Sequence, residues 1–132
     1  MNVKIIVATH KKFKMPREDT LYLPLHVGRE GKADIGFIGD NTGDNISSLN
    51  SYYCELTGLY WAWKNIDCDY LGLVHYRRYF TKRSRGYSEH INMDEVVLSR
   101  DDLDNLLSKN DVLVPKKRRY YIETLYSHYA HT

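Results

Sequence analysis

The chain has 132 residues, of which 42% are hydrophobic and 27% charged, and carries a net charge of +2. Such a chain is long enough for one globular domain with its own core, which excludes a disordered segment and a disulfide-dependent miniprotein. The weak net charge argues against a dedicated nucleic-acid binder, although the positive residues cluster at Arg77, Arg78, Lys82, Arg83 and Arg85 and again from Lys116 to Arg119.

Lys4 to Ala8 is a continuous apolar run that reads as a buried parallel strand. It is too short to cross a membrane, has no cleavage pattern, and ends in the polar run Thr9-His10-Lys11-Lys12. Residues 13–34 read as a loop holding a short strand around Tyr22 to Val27, and Asp34 to Ile38 as a brief strand. Gly39 to Asn45 is a dense turn cluster that reads equally as a structural turn or as a loop whose Asp40, Asp44 or Asn45 meets a ribose or base. It is not a phosphate-binding Walker loop, because no Gly-Lys-Ser/Thr follows.

Asn50 to Asn65 is expected to be a single helix capped by Asn50 or Ser51. Its buried stripe would be Tyr53, Leu56, Tyr60 and Trp63, widened by Leu59. Asp67-Cys68-Asp69 has the look of a metal-binding carboxylate pair. It precedes its strand, however, and so reads as a turn at the amino end. Cys54 and Cys68 lack metal or disulfide spacing and read as reduced thiols of a cytosolic protein.

Tyr70 to Val74 is the second core strand, and it runs directly into His75-Tyr76-Arg77-Arg78. Residues 81–98 read as a polar, mobile loop. Ser99 and Asp102 form a capping box for a helix buried through Leu103, Leu106 and Leu107 and closed by Asn110. Asp111 to Pro115 reads as a further strand, again followed by a basic run. Ile122, Leu125, Tyr126 and Tyr129 recur at helical spacing up to Thr132, a pattern expected of a domain cut short at its C-terminus.

Helix followed by strand is half of a βαβ unit, so the class is α/β with a mostly parallel sheet flanked by helices. In such sheets ligands gather at the carboxyl ends of the strands. There Thr9, His10 and Lys11, His75, Arg77 and Arg78, and the run from Lys116 would form a positive rim suited to a nucleotide diphosphate. Arginine matches phosphate oxygens with a fork of donors, and a histidine beside two arginines is held toward its neutral, donating form.

The runs Gly39 to Ser47, Tyr53 to Asn65 and Tyr70 to Tyr79, with Lys4 to Lys11 and Asp111 to Pro115, are together long and specific. They resemble a bacterial family of uncharacterised-domain glycosyltransferases found in capsular and exopolysaccharide gene sets. The resemblance implies a Rossmann-like, GT-A-type fold in which residues 1–132 form the nucleotide-sugar-binding part of one domain. It implies a nucleotide-sugar donor, uridine-linked, and a saccharide or lipid-linked saccharide acceptor, with no nucleic acid partner. Such an acceptor would bring a cytoplasmic enzyme to the inner face of the membrane.

Under this resemblance Thr9, His10, Lys11, Asp40, Asp44 and Asn45 are the nucleotide-binding candidates, and His75, Arg77 and Arg78 the catalytic ones. Relatives of this fold carry a metal-binding Asp-x-Asp where this chain has His-Tyr-Arg-Arg. Arg77 and Arg78 are therefore expected to do the metal's work, and no metal ligand is assigned. The rival reading is a non-catalytic module that binds an anionic polymer or nucleic acid through its basic patches.

Overall fold

The computed structural model describes residues 1–17, 20–82 and 93–116. The segment with helical spacing at 122–129, the basic residues 117–119 and residues 83–92 of the expected loop lie outside them. Four strands, β1 (Val3–Thr9), β2 (Tyr22–His26), β3 (Ile38–Gly39) and β4 (Tyr70–His75), form one sheet in the order β3-β2-β1-β4. Every pairing is parallel, with Ile5 opposite Tyr22 on one side and Gly72 on the other. This is a Rossmann-like α/β arrangement. Because β1 is flanked by strands reached in opposite directions along the sheet, the strand order reverses between β1 and β4.

The apolar run of β1 is buried on both faces, as a central parallel strand must be: Ile6, Val7 and Ala8 are wholly inaccessible. Ile6 and Val7 each contribute roughly 1.5–3 kcal/mol when fully buried. On one face Ile6, Ala8, Leu25 and Val27 pack against Trp61 and Ala62 of helix α2 (Leu56–Asn65). On the other, Val3, Ile5, Val7 and Tyr22 meet Leu103 and Leu107 of helix α4 (Arg100–Leu107). The Tyr22 hydroxyl donates to the Leu98 carbonyl at 2.5 Å and ties the two layers together. The capping box at the start of α4 is present, with Ser99 Oγ accepting from the Asp102 N–H and the Asp102 carboxylate accepting from the Ser99 N–H at 2.8 Å. The expected loop 81–98 contains a short helix, α3 (Met93–Val96), and Thr81 bridges to Val97.

The expected single helix over 50–65 is two. A short α1 (Asn50–Tyr53) ends at Cys54, whose φ of 52° is left-handed, and α2 begins after Glu55. Neither Asn50 nor Ser51 caps it; the residue before α1 is Leu49, and the Asn50 side chain serves the break instead. The buried face also differs. Tyr53, Leu56 and Trp63 are half or more exposed, and Thr57, Gly58, Trp61 and Ala62 face the sheet. Close approach selects these small residues: a Cβ on Gly58 would meet Val27 Cγ1 at 2.6 Å. A stripe read only from large apolar side chains therefore finds the wrong side.

The expected strand at Asp111 to Pro115 is absent. Leu113 packs into the α4-side core, while Val112 and Val114 are 74% and 77% exposed and no described strand pairs with them. β-Branched residues favour a strand only where neighbours pack against them. Of the expected strand from Asp34 to Ile38 only Ile38 is in a strand, β3, which Gly39 completes.

Candidate active site

The carboxyl ends of β1, β2, β3 and β4 share one edge of the sheet, stitched by backbone bonds. The Val27 N–H donates to the Thr9 carbonyl at 3.0 Å, Asp40 to His26 at 3.0 Å and Tyr76 to Ala8 at 3.1 Å. Thr9 ends β1 in a tight turn: its hydroxyl donates to the Lys11 carbonyl at 2.5 Å and accepts from the Lys11 N–H at 3.1 Å. That closes the buried Thr9 hydroxyl on its own loop and turns His10 out to solvent.

β4 ends in an equally tight turn, with the Arg78 N–H donating to the His75 carbonyl at 2.8 Å. The Arg77 N–H approaches His75 Nδ1 at 3.4 Å, an arrangement that favours the tautomer with its proton on Nε2. Burial pushes the His75 pKa down; Glu55 opposes the shift, while Arg77, His10 and Arg78 add to it. The direction is the one expected beside two arginines, with burial rather than the arginines as its main cause.

Tyr76, between them, is buried and gathers the charged groups of both strand ends. Its ring lies edge-on to His10 at 5.6 Å, with Lys11 Nζ at 5.6 Å and the Arg77 guanidinium carbon at 5.3 Å from its centre. Such contacts are worth about 0.5–1 kcal/mol each at exposed sites, and they fix where the cations stand.

Two clefts open on this edge. The first, about 220 Å³, is lined by Ala8, Thr9, His10, Val27, Lys32, Asn50, Cys54, Glu55 and His75. It therefore lies where the strand order reverses. The second, about 510 Å³, runs past Leu73, Val74, Tyr79 and Phe80 to Arg78, Pro115 and Lys116. The residues common to both are Glu55 and His75. A separate apolar hollow of about 310 Å³ lies between β4 and α4 over Val3, Leu103 and Val112, away from the strand ends that carry the charged cluster.

Asp40 is fully inaccessible, and both its oxygens are occupied. Oδ2 accepts from the Gly28 N–H at 2.9 Å and Thr57 Oγ1 at 2.6 Å, and Oδ1 from the Arg29 N–H at 3.1 Å and Ser47 Oγ at 2.5 Å. It is a structural hub behind the cleft. Asp44 and Asn45 line neither cleft. Asp44 accepts from the Tyr60 hydroxyl at 3.0 Å and from Asn65 along the outer part of α2, and Asn45 closes its own turn onto Gly43 and Ser47. The structure thus brings Thr9, His10, His75 and Arg78 to the clefts, holds Lys11 and Arg77 beside them on Tyr76, and sets Asp40, Asp44 and Asn45 apart. Asp69 sits at the opposite edge, its carboxylate accepting from the Asn2 N–H at 2.7 Å, as expected of a turn. Among the described residues no three metal-ligating side chains converge.

Sequence reasoning missed Lys32, Asn50, Cys54 and Glu55. The Asn50 amide donates to the Cys54 carbonyl at 2.8 Å and to Thr57 Oγ1 at 3.0 Å, joining the helix break to the Asp40 hub. Gly28, at φ 65°, is fitted to this: a Cβ there would meet Asn50 Cγ at 2.6 Å. Only Gly28 offered a signal in the sequence, as a loop glycine.

Fold and site thus define a Rossmann-like α/β domain with a polar cleft at its topological switch point. Residues 4–132 match the family described as Domain of unknown function (DUF4422), and the chain belongs to that family. It is also similar to a solved structure of the WbbM bifunctional glycosyltransferase, with 41% identity and a TM-score of 0.56 over 68% of this chain. The chain spans 16% of the length of that protein. Among curated proteins none matches this chain. Among the described residues no helix is long and apolar enough to cross a membrane.

Proposed function

We propose that this domain binds the donor of a glycosyl transfer, moving a sugar from a nucleotide sugar, uridine-linked, to a saccharide acceptor. The observation that carries the reading is the cleft between Thr9, His10 and His75, which shares His75 and Glu55 with a second cleft bearing Arg78 and Lys116. The likeness to a glycosyltransferase at 41% identity supports it. In this reading the nucleoside occupies the first cleft, and the diphosphate crosses His75 toward Arg78. The sugar and its acceptor then lie in the second cleft, where the rings of Tyr79 and Phe80 and the aliphatic Leu73 line the wall.

His75 Nε2–H and the arginine pair are the donors for charge that builds on the departing diphosphate. Arg77 and Arg78 thereby stand in for a metal ion. The setting we propose is capsular or exopolysaccharide synthesis on a lipid-linked acceptor at the cytoplasmic membrane face.

A thermal-shift panel of UDP, other nucleoside diphosphates and inorganic phosphate tests the reading. Saturable stabilisation selective for one base supports it. Equal response to any polyanion, with a steep salt slope on nucleic acid, supports the anion-binding module instead. Activity that EDTA abolishes and manganese restores, with Arg77→Ala silent, refutes the role given to the arginines.

A further inference from the structure

We propose that Glu55 is the general base of the transfer, taking the proton from the attacking hydroxyl of the acceptor. The inference rests on the glycosyl-transfer reading above and adds to it the carboxylate that a direct displacement requires.

Its first support is position. Glu55 and His75 are the residues common to both clefts, so a group bound in either one lies beside them. A sugar whose diphosphate lies at His75 and Arg78 presents its anomeric carbon in the second cleft, which Glu55 also lines. An acceptor arriving through the second cleft brings its hydroxyl to the same place.

The second support is the backbone that puts Glu55 there. Cys54 has φ 52° and ψ −131°, a conformation that L side chains rarely adopt. A non-glycine residue held in a sparsely populated region costs on the order of 1–3 kcal/mol, and such outliers gather at functional sites. A continuous helix over 50–65 would have avoided that cost. The break is braced from behind: Asn50 donates to the Cys54 carbonyl at 2.8 Å, and Thr57, which Asn50 also contacts, donates to Asp40 at 2.6 Å. A polar network that runs from the exposed Asn50–Cys54 bond to the buried Thr57–Asp40 bond therefore fixes the turn that carries Glu55 to the cleft.

The third support is the state of the carboxylate. Among the described residues no hydrogen bond or ion pair engages its oxygens, in clefts whose charged and donor groups include His10, Lys32, His75, Arg78 and Lys116. It acts on His75 through space, raising that pKa against the effect of burial. A carboxylate open to solvent at the clefts is free to accept a proton from a bound hydroxyl.

The step balances without any further reactant. As the acceptor oxygen bonds to the anomeric carbon, its proton passes to a Glu55 carboxylate oxygen. The bond from the anomeric carbon to the diphosphate oxygen breaks, and its electron pair leaves on the nucleoside diphosphate beside His75 and Arg78. The proton is later released to water. One displacement of this kind inverts the anomeric configuration.

The test compares wild-type protein with Glu55→Gln and Glu55→Asp. UDP binding is measured by calorimetry. UDP release from UDP-glucose, UDP-galactose and UDP-N-acetylglucosamine is measured with octyl glucoside and octyl galactoside as acceptors, and the product anomer is read by NMR. We expect Glu55→Gln to bind UDP within about twofold of wild type yet lose roughly 100-fold or more in kcat, the low end of what a general base supplies. Glu55→Asp should retain more activity than Glu55→Gln, and the product should be inverted. Turnover of Glu55→Gln within threefold of wild type, a retained anomer, or recovery of Glu55→Gln by added manganese would each overturn the assignment. Wild-type protein that binds no UDP overturns the transferase reading itself, which separates the two failures.

Discussion

Replacing Asp40 with asparagine distinguishes a hub from a ligand contact. The carboxylate accepts four hydrogen bonds, from the Gly28 and Arg29 N–H groups and the Ser47 and Thr57 hydroxyls, at 2.9, 3.1, 2.5 and 2.6 Å. In Asp40→Asn one oxygen becomes an NH2 group, which faces one backbone N–H and one hydroxyl. The hydroxyl can rotate to accept, but the N–H is left opposing a donor, and the remaining bonds lose their charge. Bonds to charged groups are worth about 1.5–3 kcal/mol, and a buried unsatisfied donor costs about 1–3 kcal/mol. With partial relaxation the net loss is about 2–4 kcal/mol. At a urea m-value of about 2 kcal/mol per molar, the midpoint should fall by about 1–2 M. Buried Trp61, whose indole donates to Thr42 at 2.9 Å beside this network, is the fluorescent reporter. A variant that unfolds within about 0.5 kcal/mol of wild type, the range of ordinary surface changes, but has lost UDP affinity would refute the reasoning. It would make Asp40 a nucleotide contact.

Other outcomes follow from the same geometry. Tyr76→Leu should weaken UDP binding about tenfold, roughly two lost cation–π contacts, whereas Tyr76→Phe keeps the ring and should stay within about twofold by calorimetry. Cys54→Gly should relieve the left-handed strain and stabilise the fold by up to about 1 kcal/mol after the entropic cost of glycine; destabilisation in urea would show that the turn is not strained. His26 is buried, and its pKa is lowered by desolvation first and by Arg29 next; that of His75 is lowered chiefly by burial. The unfolded chain therefore takes up protons before the folded one. Their contribution to stability is complete above the ordinary value of about 6.5 and is lost as pH falls through the lower folded values. The urea midpoint should drop between pH 7 and pH 5, with a shallower drop in His26→Gln; a flat profile would contradict the assignment.

The sheet was legible because β1 and β4 are apolar runs ending in polar clusters, and parallel pairing brings those ends together whatever the loops do. His10, His75 and Arg78 could thus be placed at the site from residue type alone. The helix break was not legible, because nothing in Tyr53-Cys54-Glu55 departs from helix-forming sequence. It is set by tertiary bonds from Asn50 to Cys54 and Thr57, and Glu55 was overlooked with it. Asp40 was misleading for a related reason. A turn aspartate looks the same in sequence whether it faces a ligand or, as here, folds inward onto Gly28, Arg29, Ser47 and Thr57. Trp63 and Leu56 resembled core residues because periodicity records spacing but not which face can approach the sheet, and Gly58 decided that.

The central claim is that the turn after β4 receives a nucleoside diphosphate at the edge where β1 and β4 part. Calorimetric titration of UDP into wild-type protein and into the Arg77→Ala/Arg78→Ala double variant tests it most directly. The account predicts saturable one-to-one binding to wild type and at least a tenfold weaker affinity in the double variant, with an unchanged urea midpoint, since both side chains are exposed. Equal affinity in the two proteins, or no binding to wild type, would contradict it.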